Sequence, residues 1–149
     1  MPWEEKKEIA ERDYKHWFKG GIEFFINANN ALQRDALNNC AFELHQATES
    51  FYNAILLVFS GYKPKLHDIF SLGQKARIYN QELFFIFPYC ETQEQKKCFE
   101  LLRQAYIDAR YNPDYRITKE QLIYLIKKVE SLQKTTERMC LEYINREVV

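Results

Sequence analysis

Hydrophobic positions recur along this chain at alternating spacings of three and four, the period of helices rather than strands. The plainest case is Leu37, Ala41, Leu44, Thr48, Phe51, Ile55 and Val58, a single seam that predicts a helix starting in "RDALNN", with Asp35 as its cap. It should stop at "SGYKP", where Gly61 can take a left-handed cap and Pro64 cannot continue the coil. Upstream, Pro2, Glu4 and Glu5 suit a helix start, because proline is tolerated in the first turn and anions favour the positive end of the dipole. Ile9, Trp17, Phe24 and Ala28 follow at helical spacing, so residues 4–32 read as one long helix with Gly20 and Gly21 as its weak point.

Downstream, "LHDIFSLGQKARIY" predicts a shorter helix. The stretch "NQELFFIFPYCET" is apolar from Leu83 to Phe87 and resembles a strand, but one lone run has no partner to pair with. A helical turn or buried loop ending at Pro88 is therefore expected. Thr92 with Gln95, and Thr118 with Gln121, each spell a capping box. The first opens a helix through Cys98, Leu101, Leu102, Ala105 and Ala109 to about Arg110, and "YNPDYRIT" is a loop. The second opens a last helix carrying Leu122, Leu125, Ile126, Val129, Leu132, Met139 and Tyr143. The sum is an all-α, antiparallel bundle of four to five helices, in a single domain over residues 1–149.

Composition narrows the classes of function. Apolar residues make up 46% of the 149 and aromatics 15%, too much bulky surface for a disordered chain. Twenty-one Lys and Arg balance twenty-one Asp and Glu, so no global field draws in nucleic acid or a membrane surface, and any such contact must come from a local patch. No apolar run approaches the ~20 residues that span a bilayer. The N-terminus is charged where a signal peptide would be apolar, which places the chain in the cytoplasm by expectation. Cys40, Cys90, Cys98 and Cys140 lack C-x-x-C spacing and there are only three histidines, so buried reduced thiols are expected, with no metal and no cofactor.

One feature carries chemistry. Beside the core seam, the second helix bears another stripe, Phe42, His45, Glu49, Tyr52, Leu56 and Phe59, so this helix should pack on more than one side, centrally in the bundle or against a partner chain. Within "FELHQATESFYNA", His45 and Glu49 are four apart and Gln46 and Glu49 three apart, so the three polar ends can meet. A surface pair serving helix stability would place the acid first; here the order is reversed. That leaves a packed hydrogen-bond network, within the bundle or between subunits, or a ligand site.

The stretch "AFELHQATESFYNAILLVFSGYKPKLHDIFSL" resembles the first half of a HEPN domain, the helical nucleotide-binding domain of prokaryotes and higher eukaryotes, with its "HQA-x-E" helix and following "G-Y-x-P-x-x-H-D-x-x-x-L". "AYIDARYNPDYRITKEQ" is similar to the same family's "ARY" turn into the last helix, and the resemblance covers about residues 10–145. It implies a bundle that commonly dimerises around a polar groove. Many relatives cut RNA with an Arg followed by four to six residues and a His. That pattern fails here: only three residues separate Arg12 from His16, and no histidine follows Arg110. Without that imidazole no general base takes the ribose 2′-hydroxyl proton, and no catalytic residue is assigned.

The resemblance then points to the branch found beside or fused to minimal nucleotidyltransferases. It implies ligand residues His67 and Asp68 at the mouth of the third helix, and Arg110 and Tyr111 at the turn. Arg can fork onto a phosphate and Tyr can stack on a base. With Lys65 of "YKPKLHD" and the trio His45, Gln46 and Glu49, these form the candidate nucleotide site. Plain structural roles compete: Asp68 as a helix cap and Arg110 as a cation completing the fourth helix. Three functions follow as expectations. The first is a non-catalytic homodimeric module binding a nucleotide, or a nucleotidyltransferase partner or upstream domain. The second is a divergent ribonuclease using His45 with Glu49 or His67 with Arg110. The third is a purely structural dimerisation domain.

Overall fold

The computed structural model describes residues 1–87 and 91–147, and every regular element among them is helical. Helix α1 spans Trp3–Gln33, α2 Leu37–Ser60, α3 Ile69–Ala76, α4 Gln93–Gln104, α5 Asp108–Tyr111 and α6 Lys119–Ile144. The run read as a helical turn or buried loop forms one turn of 3₁₀ helix over Gln81–Phe85, started by the Asn80 side chain accepting from the Glu82 amide at 2.9 Å. Pro88 and Cys90 lie outside the described residues.

Local chemistry explains most boundaries. Both capping boxes form: the Gln95 amide donates to Thr92 Oγ1 and the Gln121 amide to Thr118 Oγ1, each at 3.1 Å, while each glutamine side chain reaches back to the cap amide. Gly61 ends α2 at φ 74°, its amide donating to Leu57 O at 2.9 Å. Two expectations need correction. Asp35 does not cap α2; it takes the left-handed conformation itself at φ 59°, where a short polar side chain is tolerated, and turns the chain from α1 into α2. The fourth helix does not run to Arg110. Tyr115 Oη donates to Leu101 O at 2.7 Å, and the Ala105 amide bonds Leu102 O instead, so α4 tightens and stops before the short α5.

Helix α2 is the axle of the bundle, touching α1, α3, α4, α5 and α6. Its seam residues Leu44, Phe51 and Ile55 meet Leu122, Leu125 and Leu132 of α6 and the buried line of α1 in one core. That α1 line runs through Ala10, Tyr14, Gly21, Ala28 and Ala31, with Trp17 and Phe24 half-buried beside it. Gly21 is thus no weak point: a Cβ there would sit 2.5 Å from the Phe51 ring, so the two longest-packed helices approach closely because the residue is glycine. Cys40, Cys98 and Cys140 are buried. Among the described residues no helix is long and apolar enough to cross a membrane, and no group of His, Cys, Asp and Glu could hold a metal ion.

Candidate functional site

His45 and Glu49 of the α2 trio are buried and Gln46 is half-buried, and Glu49 pairs with neither of the other two, unlike what the spacing suggests. His45 is fully buried and its Nδ1 donates to Gln46 Oε1 at 3.2 Å, leaving Nε2 without a hydrogen-bond partner among the described residues. Burial pushes this imidazole down to about 4, against the smaller upward pull of the Gln46 amide. Glu49, 8% exposed, turns instead to the α2–α3 turn, where His67 Nδ1 donates to its Oε1 at 2.7 Å. A carboxylate acceptor puts the proton on Nδ1, so the ring's Nε2 remains outward on a side chain that is 57% exposed.

The next residue anchors the same turn to α4. Asp68 caps α3, accepting from the Phe70 amide and from Ser71 Oγ at 2.9 Å, and its two oxygens take a fork from Arg103: Nε at 2.7 Å and a terminal nitrogen at 3.0 Å. Burial works to raise this carboxyl, but the Arg103 guanidinium and the Ser71 hydroxyl together hold it below the usual range. Arg103 also lies over the Phe70 ring, 5.0 Å from its centre.

Tyr106 joins the pieces. His67 stacks on it at 4.5 Å and 15°, His45 at 5.4 Å and 29°, and the Arg110 guanidinium stands 5.1 Å from the ring centre. Arg110 donates to the Tyr106 carbonyl through both Nε and a terminal nitrogen, and also covers Phe42 at 4.4 Å and Tyr111 at 4.8 Å. It therefore closes the break after α4, close to its expected structural role. Tyr111 is 71% exposed, and Lys65 is exposed on the α2–α3 turn, outside the cluster.

These elements enclose an open groove of about 600 Å³ whose walls include His67, Asp68, Arg103, Tyr106, Ile107 and Asp108. Of the residues proposed from sequence, His67 and Asp68 line this groove; His45 and Arg110 stand behind it against Tyr106, Gln46 and Glu49 join through His45 and His67, and Lys65 and Tyr111 do not line it. The pairing of His45 with Glu49 is replaced by Glu49 with His67. Arg103 and Tyr106 were missed. Their signal was the spacing Arg103, Tyr106, Arg110, three then four, which would put all three on one face of an unbroken helix; the structure gathers them across the break between α4 and α5 instead.

The HEPN domain profile matches residues 14–139, an interval that holds every residue of this cluster. The chain belongs to the HEPN family. No curated protein matches it. In this HEPN domain both halves of the motif resemblance, the His67–Asp68 turn and the Arg110 turn, meet His45 of α2 through one tyrosine. The groove can offer an outward imidazole nitrogen, an aromatic face and apolar surface at Ile107. Its wall carries the carboxylates of Asp68, Glu100 and Asp108 against the single guanidinium of Arg103, a charge balance that opposes a phosphate.

Proposed function

We propose that the chain works as a non-catalytic HEPN-type binding module, homodimeric, with the groove beside Tyr106 as its ligand-facing surface and a nucleotide or a nucleotidyltransferase-fold protein as its ligand. What carries the reading is that each arginine and histidine of the cluster is already engaged within the chain: Arg103 on Asp68, His67 on Glu49, Arg110 on the Tyr106 carbonyl, His45 buried against Tyr106. Groups committed in this way hold a surface in shape; they are not free to clamp a transferring phosphate. The carboxylate excess of the wall favours the protein partner, and leaves a nucleotide's phosphate and base to the exposed Lys65 and Tyr111 outside the groove.

A thermal-shift panel of ATP, GTP and their monophosphates tests the nucleotide arm, since ligand at 100 times its dissociation constant adds about 2.7 kcal/mol of stability. Light scattering of the same samples tests the dimer. Co-purification with the product of the neighbouring coding region tests the partner arm. No nucleotide shift, no partner and a monomer together would leave a structural bundle only.

A second reading rests on the Glu49–His67 hydrogen bond. A buried carboxylate that orients an imidazole through Nδ1 and leaves Nε2 toward a groove is the arrangement of a general base, so a divergent ribonuclease would use His67 with Glu49, not with Arg110. Cleavage of single-stranded RNA that disappears in His67→Ala would establish it, and identical activity in that variant would end it.

A further inference from the structure

Where the start of α1, the end of α2 and the end of α6 converge, the bundle leaves a cavity of about 300 Å³ that is separate from the groove. Its walls are mainly apolar and aromatic, including Trp3, Ile9, Leu57, Phe59 and Tyr143. The rings are set against each other: Trp3 meets Tyr143 edge-on at 5.7 Å and 84°, and Phe59 meets Tyr143 at 4.3 Å. Three cations attend it. Met1, with its amino group, and Lys6 line the cavity, and the Arg146 guanidinium, not itself on the wall, lies 4.1 Å from the centre of Trp3 and 3.7 Å from that of Tyr143. None has a carboxylate within 4.0 Å among the described residues.

We infer that this cavity binds a small planar aromatic carboxylate. The volume sits at the lower end of the roughly 300–1,000 Å³ typical of ligand sites, which fits one or two fused rings and excludes a nucleotide triphosphate. Ring edges and faces at these angles favour an aromatic guest, whose own edge can meet a wall ring in the offset or edge-to-face manner. The sign of the charge is set by the Met1 amino group, Lys6 and Arg146 against the carbonyl end of α2, which contributes only about half a charge of the opposite sign. An anionic head beside Lys6 and Arg146 therefore gains where an ammonium would lose.

The test uses 2-naphthoate, 2-naphthalenemethanol and 2-naphthylmethylamine as probes, on the full chain carrying Trp17→Phe so that Trp3 is the sole reporting indole of the two. A saturable change in Trp3 emission is expected with the carboxylate. The neutral alcohol should bind at least about fivefold more weakly, the value of one unit charge pair at 4 Å in water, and the amine more weakly still. Lys6→Glu, at an exposed position, should reduce the preference for acid over amine, and Ala10→Phe should fill the space and abolish binding. Equal affinity for the three probes, no saturation by the carboxylate, an acid preference undiminished in Lys6→Glu, or unaltered binding in an Ala10→Phe protein with native helicity would each overturn the inference. Lys6→Glu decides the matter alone where Ala10→Phe does not fold.

Discussion

Helix α2 presents two unlike interfaces, and the contrast between them organises the molecule. Toward α1 and α6 it is apolar and closely packed, with Phe51 against Gly21 and Phe18. Toward the α2–α3 turn, α4 and α5 it is polar, and the groups there are held by directional pairings: Glu49 with His67, Asp68 with Arg103 and Ser71, Arg110 with the Tyr106 carbonyl. Burial on the first side is non-directional and indifferent to pH. On the second side, removing either partner strands the other, so damage is local and specific. A fold can thus keep its frame while its groove is altered, and that separation is what a binding surface requires.

Cutting the apolar side should have the largest effect. Phe51→Ala removes a fully buried ring at the closest approach of α1 and α2, and a loss of about 3–5 kcal/mol is expected from denaturant unfolding. The change should fall on global stability, with any ligand affinity of the folded fraction preserved.

Acid should distinguish the two sides next. The His45 imidazole titrates at about 4 in the folded protein against an ordinary 6.5. The unfolded chain therefore takes up the proton first: stability is full above about pH 6.5, falls as pH drops through 6.5 towards 4, and levels off below. The whole decline amounts to about 3 kcal/mol. His45→Phe keeps a ring against Tyr106 and removes the titration, so its unfolding free energy should be flat over that interval; a decline as steep as in the parent would show that His45 is not its source. Asp68, held low by Arg103, adds a further loss at more acid pH, as its carboxylate is protonated.

His67→Ala should cost less, about 1–3 kcal/mol, the penalty of leaving the buried Glu49 carboxylate unpartnered. The double variant Glu49→Leu with His67→Ala removes both needs and should unfold at higher denaturant than the single one. If the single variant were as stable as the parent, the polar side would contribute shape without stability.

The apolar side was legible in the sequence and the polar side only partly so, for a physical reason. Helical periodicity, the two capping boxes and Gly61 act within a few residues, and each appears where its local chemistry puts it. The site depends on contacts between residues far apart in the chain: Glu49 with His67, eighteen positions on, and Asp68 with Arg103, thirty-five on. Spacing within α2 suggested His45 with Glu49 because only near neighbours are visible along one helix. The break after α4 was hidden for the same reason, since Tyr115, fourteen residues beyond Leu101, supplies the competing donor.

Two adjacent glycines give the smallest and sharpest contrast. Both lie inside α1, where replacing glycine with alanine favours the helix by about 0.8–1 kcal/mol when nothing else changes. A Cβ on Gly20 meets no heavy atom within 4 Å, so Gly20→Ala should stabilise by nearly that amount. A Cβ on Gly21 meets Phe51 ring carbons at 2.5 and 2.7 Å, and the ring is buried and cannot swing aside. Overpacking of about 1–3 kcal/mol then exceeds the propensity gain, and Gly21→Ala should be net destabilising by about 1 kcal/mol. Opposite signs in parallel thermal melts would locate the close approach of α1 and α2 at one residue; a gain at both positions would mean that the two helices can part there without cost.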